Sequence, residues 1–144
     1  DVYKRQVLLS LVNHFNVITD YGTLEHVNHQ FQAFKNIHDM CKIDGIMLHA
    51  LPPPDHWPGH GRYYYPDDFF KQLAEKAYYQ IIDSIKRVAR DGIANREMVL
   101  VALKKKSNDF LSREIFNAMH LVDSGDTATT GNYTQKKKKR FVFF

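Results

Sequence analysis

Hydrophobic positions along the chain fall into short blocks whose period changes from block to block. Residues 7–12 form a brief apolar run, and residues 15–19 (FNVIT) are β-rich and stop at Asp20-Tyr21-Gly22, where turn chemistry takes over. The second run predicts a buried strand. Beyond it, Val27, Phe31, Phe34, Ile37 and Cys41 recur at spacings of four, three, three and four, one stripe of an amphipathic helix. Asp44-Gly45 ends that connection. Residues 45–51 (GIMLHAL) predict another buried strand, terminated by Pro52, Pro53 and Pro54.

Residues 52–65 are rich in Pro, Gly, His and Tyr and show no period, which predicts a long surface loop of the kind that carries function. A second helix is expected after it: Pro66 suits a first helical position, Asp67 and Asp68 complement the positive helix start, and Phe69, Leu73 and Ala77 form a stripe. Residues 78–88 and 98–103 read as strands separated by the polar Arg90-Asp91-Gly92 region. MVLVAL lacks alternation, as expected of a strand covered on both faces. A short last helix over 112–120 is expected to pack through Ile115, Phe116 and Met119. Strand, helix, strand, loop, helix, strand, strand, helix is an α/β order, and the closeness of the last two strands predicts an antiparallel pair.

At 144 residues, with 44% hydrophobic and 25% charged positions, the chain has the make-up of one globular domain and is too short for two. The formal charge of +4 is misleading, because the run 136–140 holds five of the twenty basic residues and the rest sets fifteen against sixteen acidic ones. A terminal lysine run is a poor nucleic-acid footprint, so that partner is not expected. Cys41 is the only cysteine, which excludes an internal disulfide or a cysteine zinc cage and reads as a small buried thiol. No apolar run has the length of a membrane span, and a cytoplasmic location is expected. DVYKRQ at residues 1–6 is similar to translated sequencing-adaptor sequence and is set aside. Residues 123–144 are expected to be a linker and basic tail, leaving 7–122 as the folded body.

FNVITDYGTLEHV, a helix and then CKIDGIMLHALP resemble the second half of a class I S-adenosylmethionine-dependent methyltransferase. In that family the fourth strand ends in a short polar segment followed by a Glu-His-Val step, here residues 20–27. The fifth strand follows a lysine-and-glycine turn, here 42–45, and the sheet closes with an antiparallel sixth and seventh strand. HGRYYYPDDFFKQLAEKAYYQI is similar to the substrate loop, helix and sixth strand of a bacterial branch of such enzymes. The resemblance implies an α/β fold: a partial Rossmann-like methyltransferase sheet, strands four to seven, with an antiparallel final strand pair. It also implies S-adenosylmethionine as cofactor and an O or N atom of a small molecule as methyl acceptor. The family's glycine-rich loop and the acidic residue ending its second strand have no counterpart here. The expectation is therefore a truncated gene product that supplies one wall of the cofactor crevice, with an unpaired edge on the fourth strand.

Methyl transfer from a sulfonium requires alignment and, for a hydroxyl or amine acceptor, removal of a proton, which histidine suits near neutral pH. His26 is the candidate catalytic residue, with Glu25 orienting it. The competing reading is that the pair simply begins a helix. Asp20, Tyr21 and Gly22 are expected on the cofactor side, and His49, His60, Gly61, Tyr63 and Tyr65 on the substrate side. A metal reading joins Glu25, His26 and His29, perhaps with His49. Gly22 stands where related enzymes place a first carboxylate ligand, and no metal is expected. His56 and His60 have a ligand-like spacing, but Pro58 and Gly59 deny the helix that would align them. His38 and His120 are expected within helices as surface or satisfied residues, and Lys104–Lys106 as solvated. The rival from another class is a non-enzymatic interaction module whose basic tail dominates binding, with steep salt dependence.

Overall fold

A computed structural model describes residues 9–88 and 96–125. Expectations for residues 1–8, for the turn region at 90–92 and for the tail beyond 125 lie outside the described residues. The chain forms β1 (Phe15–Tyr21), α1 (Gln30–Met40), β2 (Cys41–Leu51), β3 (Tyr63–Tyr64), α2 (Phe69–Lys76), β4 (Tyr79–Val88), β5 (Glu97–Lys105), α3 (Arg113–Asn117) and β6 (Val122–Asp123). The main sheet has the order β1-β2-β5-β4, with β1 and β2 parallel and β5 antiparallel to both of its neighbours. This is the partial Rossmann-like arrangement with an antiparallel final pair. A crossover through α1 joins the two parallel strands, as parallel pairing demands.

The core lies on one face of this sheet. Met47 and Leu51 of β2 and Val99, Val101 and Leu103 of β5 meet Phe34 of α1, Phe69 and Leu73 of α2 and Phe116 of α3. Phe34 sits at the centre, with ring centroids 5.5 Å from Phe69 and 5.6 Å from Phe116, distances at which tilted aromatic pairs attract beyond their buried area. α1 ends where β2 begins, without a linker. Lys105 makes this corner possible: its buried ammonium donates to the carbonyls of His38 and Cys41, each at 2.8 Å, and to Asn13 Oδ1 at 2.9 Å. Only its neighbours Lys104 and Lys106 are half-exposed or exposed, both paired with Asp44, so the expectation of three solvated lysines fails at Lys105.

Several boundaries differ from those expected, each for a local reason. β2 starts at Cys41, because Asp44 takes a left-handed conformation (φ 62°) that kinks the strand without ending it. Gly45 follows there because a Cβ would lie 2.9 Å from the Lys42 carbonyl oxygen and 3.1 Å from that of Asn16. Pro66 precedes α2 as the first residue of a turn whose carbonyl accepts from Phe69 N, so the helix begins three residues later than expected. Val27 lies ahead of α1, not within it, and α3 spans five residues, with Ser112 Oγ accepting from Ile115 N as its cap. Ile115 is exposed, leaving Phe116 and Met119 as the packing residues, and His120 is exposed beyond the helix. His38 is buried and satisfied, bonded to Tyr79 Oη at 2.8 Å and the Asn108 carbonyl at 3.1 Å.

The largest correction concerns burial. β1 was expected to be a buried strand, yet Val17 is 53% exposed, and β1 pairs only with β2 among the described residues. In β5, Val99, Val101 and Leu103 are buried while Leu100 and Ala102 on the opposite face are only half-covered. The three helices cover one face, and nothing among the described residues covers the other.

Candidate functional site

The carboxyl end of β1 is fixed by a buried pair. Asp20 and His49 face one another in the β1–β2 register, and Asp20 Oδ2 lies 3.0 Å from His49 Nδ1. Its other oxygen accepts from Leu24 N at 3.2 Å. Gly22, at φ +69°, turns the chain while its N–H donates to the Ala50 carbonyl at 3.0 Å. These bonds send residues 24–26 into a single 3-10 turn that drives Glu25 inward. Gln30 then secures the turn, its amide donating to the Leu24 carbonyl at 2.6 Å and the Val27 carbonyl at 2.7 Å, while its oxygen accepts from Tyr65 Oη at 2.8 Å. The pair Glu25-His26 therefore does not begin a helix. It occupies its own turn, four residues before α1.

The loop 52–65 lies across this turn. Arg62 N donates to the Glu25 carbonyl at 2.9 Å, β3 pairs with β6, and Ser124 N donates to the Arg62 carbonyl at 2.8 Å. Trp57 anchors the other end through its indole N–H to the Glu97 carbonyl at 2.7 Å. This docking brings His60 over Glu25. Glu25 Oε1 stands 3.4 Å from His60 Nε2 and 3.7 Å from His26 Nε2, and the two imidazoles meet edge-on at 5.0 Å between centroids. Glu25 is fully buried and neither of its oxygens accepts a hydrogen bond, whereas the two histidines keep about a fifth of their side-chain surface open. Gly61 is required beside it, since a Cβ there would fall 2.8 Å from Glu25 Cγ.

Of the residues singled out in the sequence, Glu25, His26, His60 and Gly61 converge. Gly22 borders this group, and the others stand apart from it. His29 is exposed, and His49 is buried with Asp20 between the rings of Phe34 and Phe70. Tyr65 is buried, and burial followed by the charges of Asp20 and Glu25 holds its phenol well above its usual pKa, so it serves as a neutral donor. Tyr21 projects from the end of β1, largely exposed. Tyr63 donates to the Asn28 carbonyl at 3.1 Å and borders a cleft of about 280 Å³ that Phe31, Arg113 and Phe116 also line. Arg113 lies 4.5 Å over the Phe31 ring. Neither the cleft nor the meeting of His60 with Glu25 was foreseen. The sequence signal for the latter is Gly59-His60-Gly61, where a glycine permits close backbone approach.

No protein-family model matches the chain, and no curated protein matches it in sequence. Among solved structures it is similar to the 1,6-didemethyltoxoflavin-N1-methyltransferase of Burkholderia thailandensis, determined with bound 1,6-didemethyltoxoflavin and S-adenosylhomocysteine. The TM-score is 0.52 at 18% identity, covering 67% of this chain and 46% of that one. It is also similar to the CMeT domain of the citrinin polyketide synthase, with a TM-score of 0.50 at 14% identity over 71% of this chain and 31% of that one. The likeness is one of fold, and the chain spans less than half the length of either structure.

Proposed function

We propose that this chain forms the C-terminal wall of the crevice in an S-adenosylmethionine-dependent methyltransferase acting on an O or N atom of a small molecule. The observation that carries this reading is the position of the Glu25, His26 and His60 cluster, immediately beyond the carboxyl end of β1 at the open edge of the sheet. In open α/β sheets ligands bind outside the carboxyl ends of strands, where strand order reverses. The methyltransferase fold of the solved neighbours, one of which was determined with S-adenosylhomocysteine, supports the same assignment.

S-adenosylmethionine, when bound, supplies an already activated methyl group, so this chain's residues need to position the acceptor and manage its proton. The residues present fit one wall of such a cofactor: Tyr21 is exposed at the end of β1, and Gly22 turns away without a side chain. Asp20 contributes by shaping that turn, because both of its oxygens are engaged internally. His26 accepts the acceptor's proton, with Glu25 beside it stabilising the imidazolium that results. His60 and Gly61 close over the turn, and Tyr63 with the cleft beside it holds the body of the acceptor. At about 280 Å³, with two phenylalanine rings and one arginine, that cleft suits a compact ring compound. His49 and Tyr65 act from behind, keeping the turn in place.

The test is to sequence the source DNA upstream of the codon for Val7 and to titrate the protein from the full open frame with S-adenosylhomocysteine by calorimetry. A preceding strand, glycine-rich turn and acid-terminated strand, together with stoichiometric binding, are expected. A start codon beside Val7, or a full-frame protein that binds no S-adenosylhomocysteine, overturns the proposal and promotes the interaction-module reading.

A further inference from the structure

We infer that Glu25, His26 and His60 form a binding site for a single divalent transition-metal ion of the zinc class. The inference starts from Glu25. A carboxylate with no exposed surface and no hydrogen bond is far too costly to hold as a lone ion, so something must neutralise it. An imidazolium–carboxylate hydrogen bond would close to about 2.7–2.9 Å. Both imidazole nitrogens stand back instead, at 3.4 Å and 3.7 Å from the same oxygen. The 3.4 Å separation matches the edge of a tetrahedron of ligands about a zinc-sized ion, roughly 3.3–3.4 Å for bonds of about 2.0–2.1 Å, and the 3.7 Å separation would need to close only slightly to meet it.

The donor set points the same way. Three ligand atoms, one from each residue, lie within 4.8 Å of one another, and two imidazoles with one carboxylate is a set that suits zinc-class ions and leaves a fourth position open. The ligands come from two segments, the 3-10 turn and the loop, which the Arg62–Glu25 backbone bond holds together at 2.9 Å. Gly61 makes room for the carboxylate, since a Cβ there would fall 2.8 Å from Glu25 Cγ, while Gly22 supplies the left-handed turn at φ +69° that brings Glu25 inward. The buried side carries the charge, and the partly open histidines give an ion its way in. His29 and His49, which the sequence offered as ligands, lie elsewhere and take no part.

Ion binding stands independently of methyl transfer. One consequence rests on that earlier reading: with an ion present, His26 becomes a ligand, and an acceptor oxygen at the fourth position would be acidified by the metal.

The full 144-residue chain, stripped with chelator, is titrated with cobalt chloride and then with zinc chloride. Cobalt absorption reports coordination geometry. The only tryptophan, Trp57, has its ring 5.3 Å from that of His60 and reports arrival of the ion by quenching. One equivalent of cobalt with a low-symmetry four- or five-coordinate spectrum, displaced by zinc, is the expected result. Affinity should fall at least about 100-fold in His60→Ala and Glu25→Gln and stay unchanged in His29→Ala. His60→Ala is the decisive variant should Glu25→Gln fail to fold, because His60 lies in a loop at the surface. Absence of a stoichiometric spectrum overturns the inference, as does binding that survives His60→Ala or is lost in His29→Ala.

Discussion

Acid should weaken this fold through His38 in a way that one substitution can isolate. The imidazole is fully buried at the end of α1, and burial pushes its pKa down from 6.5 to about 4. The Asn108 carbonyl and Asp39 oppose the shift, and Lys105 and Lys35 add to it. Well above pH 6.5 the ring is neutral both folded and unfolded, so it adds little pH dependence there. Below 6.5 the unfolded chain takes up a proton that the folded chain refuses, and stability falls until the folded value near 4 is passed. The drop from 6.5 to about 4, at about 1.4 kcal/mol per pH unit, gives a full loss of roughly 3–4 kcal/mol, most of which has developed by pH 4.5. Other groups also titrate in this range, so the measurement is a difference. Urea unfolding of the parent and of His38→Gln, followed by Trp57 fluorescence and circular dichroism, is compared at pH 7, 5.5 and 4.5. At pH 7 the variant should be the weaker by about 1–3 kcal/mol, since the Tyr79 hydroxyl and Asn108 carbonyl lose a partner. The gap should close by about 1 kcal/mol at pH 5.5 and by about 2–3 kcal/mol at pH 4.5. A gap that stays constant across the series would falsify the assignment of the acid response to this ring.

Four further substitutions probe the corners of the fold by the same unfolding measurement. Lys105→Met leaves two buried carbonyls and Asn13 without their shared donor and should cost about 2–5 kcal/mol, while Lys104→Met, on the opposite face of β5, should cost under about 0.5; equal effects would refute a structural role for the buried ammonium. Gly45→Ala should cost about 1–3 kcal/mol, because two backbone oxygens must retreat from the new methyl; no loss would show that the β2 kink relaxes freely. Tyr78, exposed and left-handed at φ 54° between α2 and β4, should be replaced by glycine with a gain of up to about 1 kcal/mol, and a clear loss would mean that its ring packs in solution.

The elements that the sequence disclosed are those whose periodicity reflects a single packed face. Phe31, Phe34 and Ile37 fall on one stripe because α1 has one surface to bury, and Phe69 and Leu73 repeat the pattern in α2. The antiparallel pairing of β4 with β5 was likewise legible, since no crossover helix fits between them. Burial of the strands was not. An unbroken apolar run such as MVLVAL records what the residues tolerate on both faces, not which faces other elements cover, so Leu100 and Ala102 read like Val99 and Val101. Lys105 was misread for a related reason: a lysine run is normally solvated, and only the three-dimensional corner between α1 and β2 places unpaired carbonyls within its reach.

The candidate site was legible by composition and hidden by connectivity. Glu25 and His26 stand out because they follow a strand end, yet spacing along the chain offered His29 as the third member, and the fold chose His60, thirty-four residues beyond His26. Two glycines and one backbone bond decide that choice. Gly22 lets the turn fold back onto Ala50, Gly61 lets the loop lie against the Glu25 side chain, and the Arg62 N–H locks the two segments together. A Cβ at Gly61 would push the loop off the turn, and any other residue at Gly22 would strain its left-handed backbone, while every candidate ligand remained in the sequence. The chemistry of the cluster therefore depends on residues that carry none of it. Gly61→Ala should weaken ion binding as His60→Ala does, although it removes no donor atom; unchanged affinity in that variant would mean that the loop finds another route to Glu25.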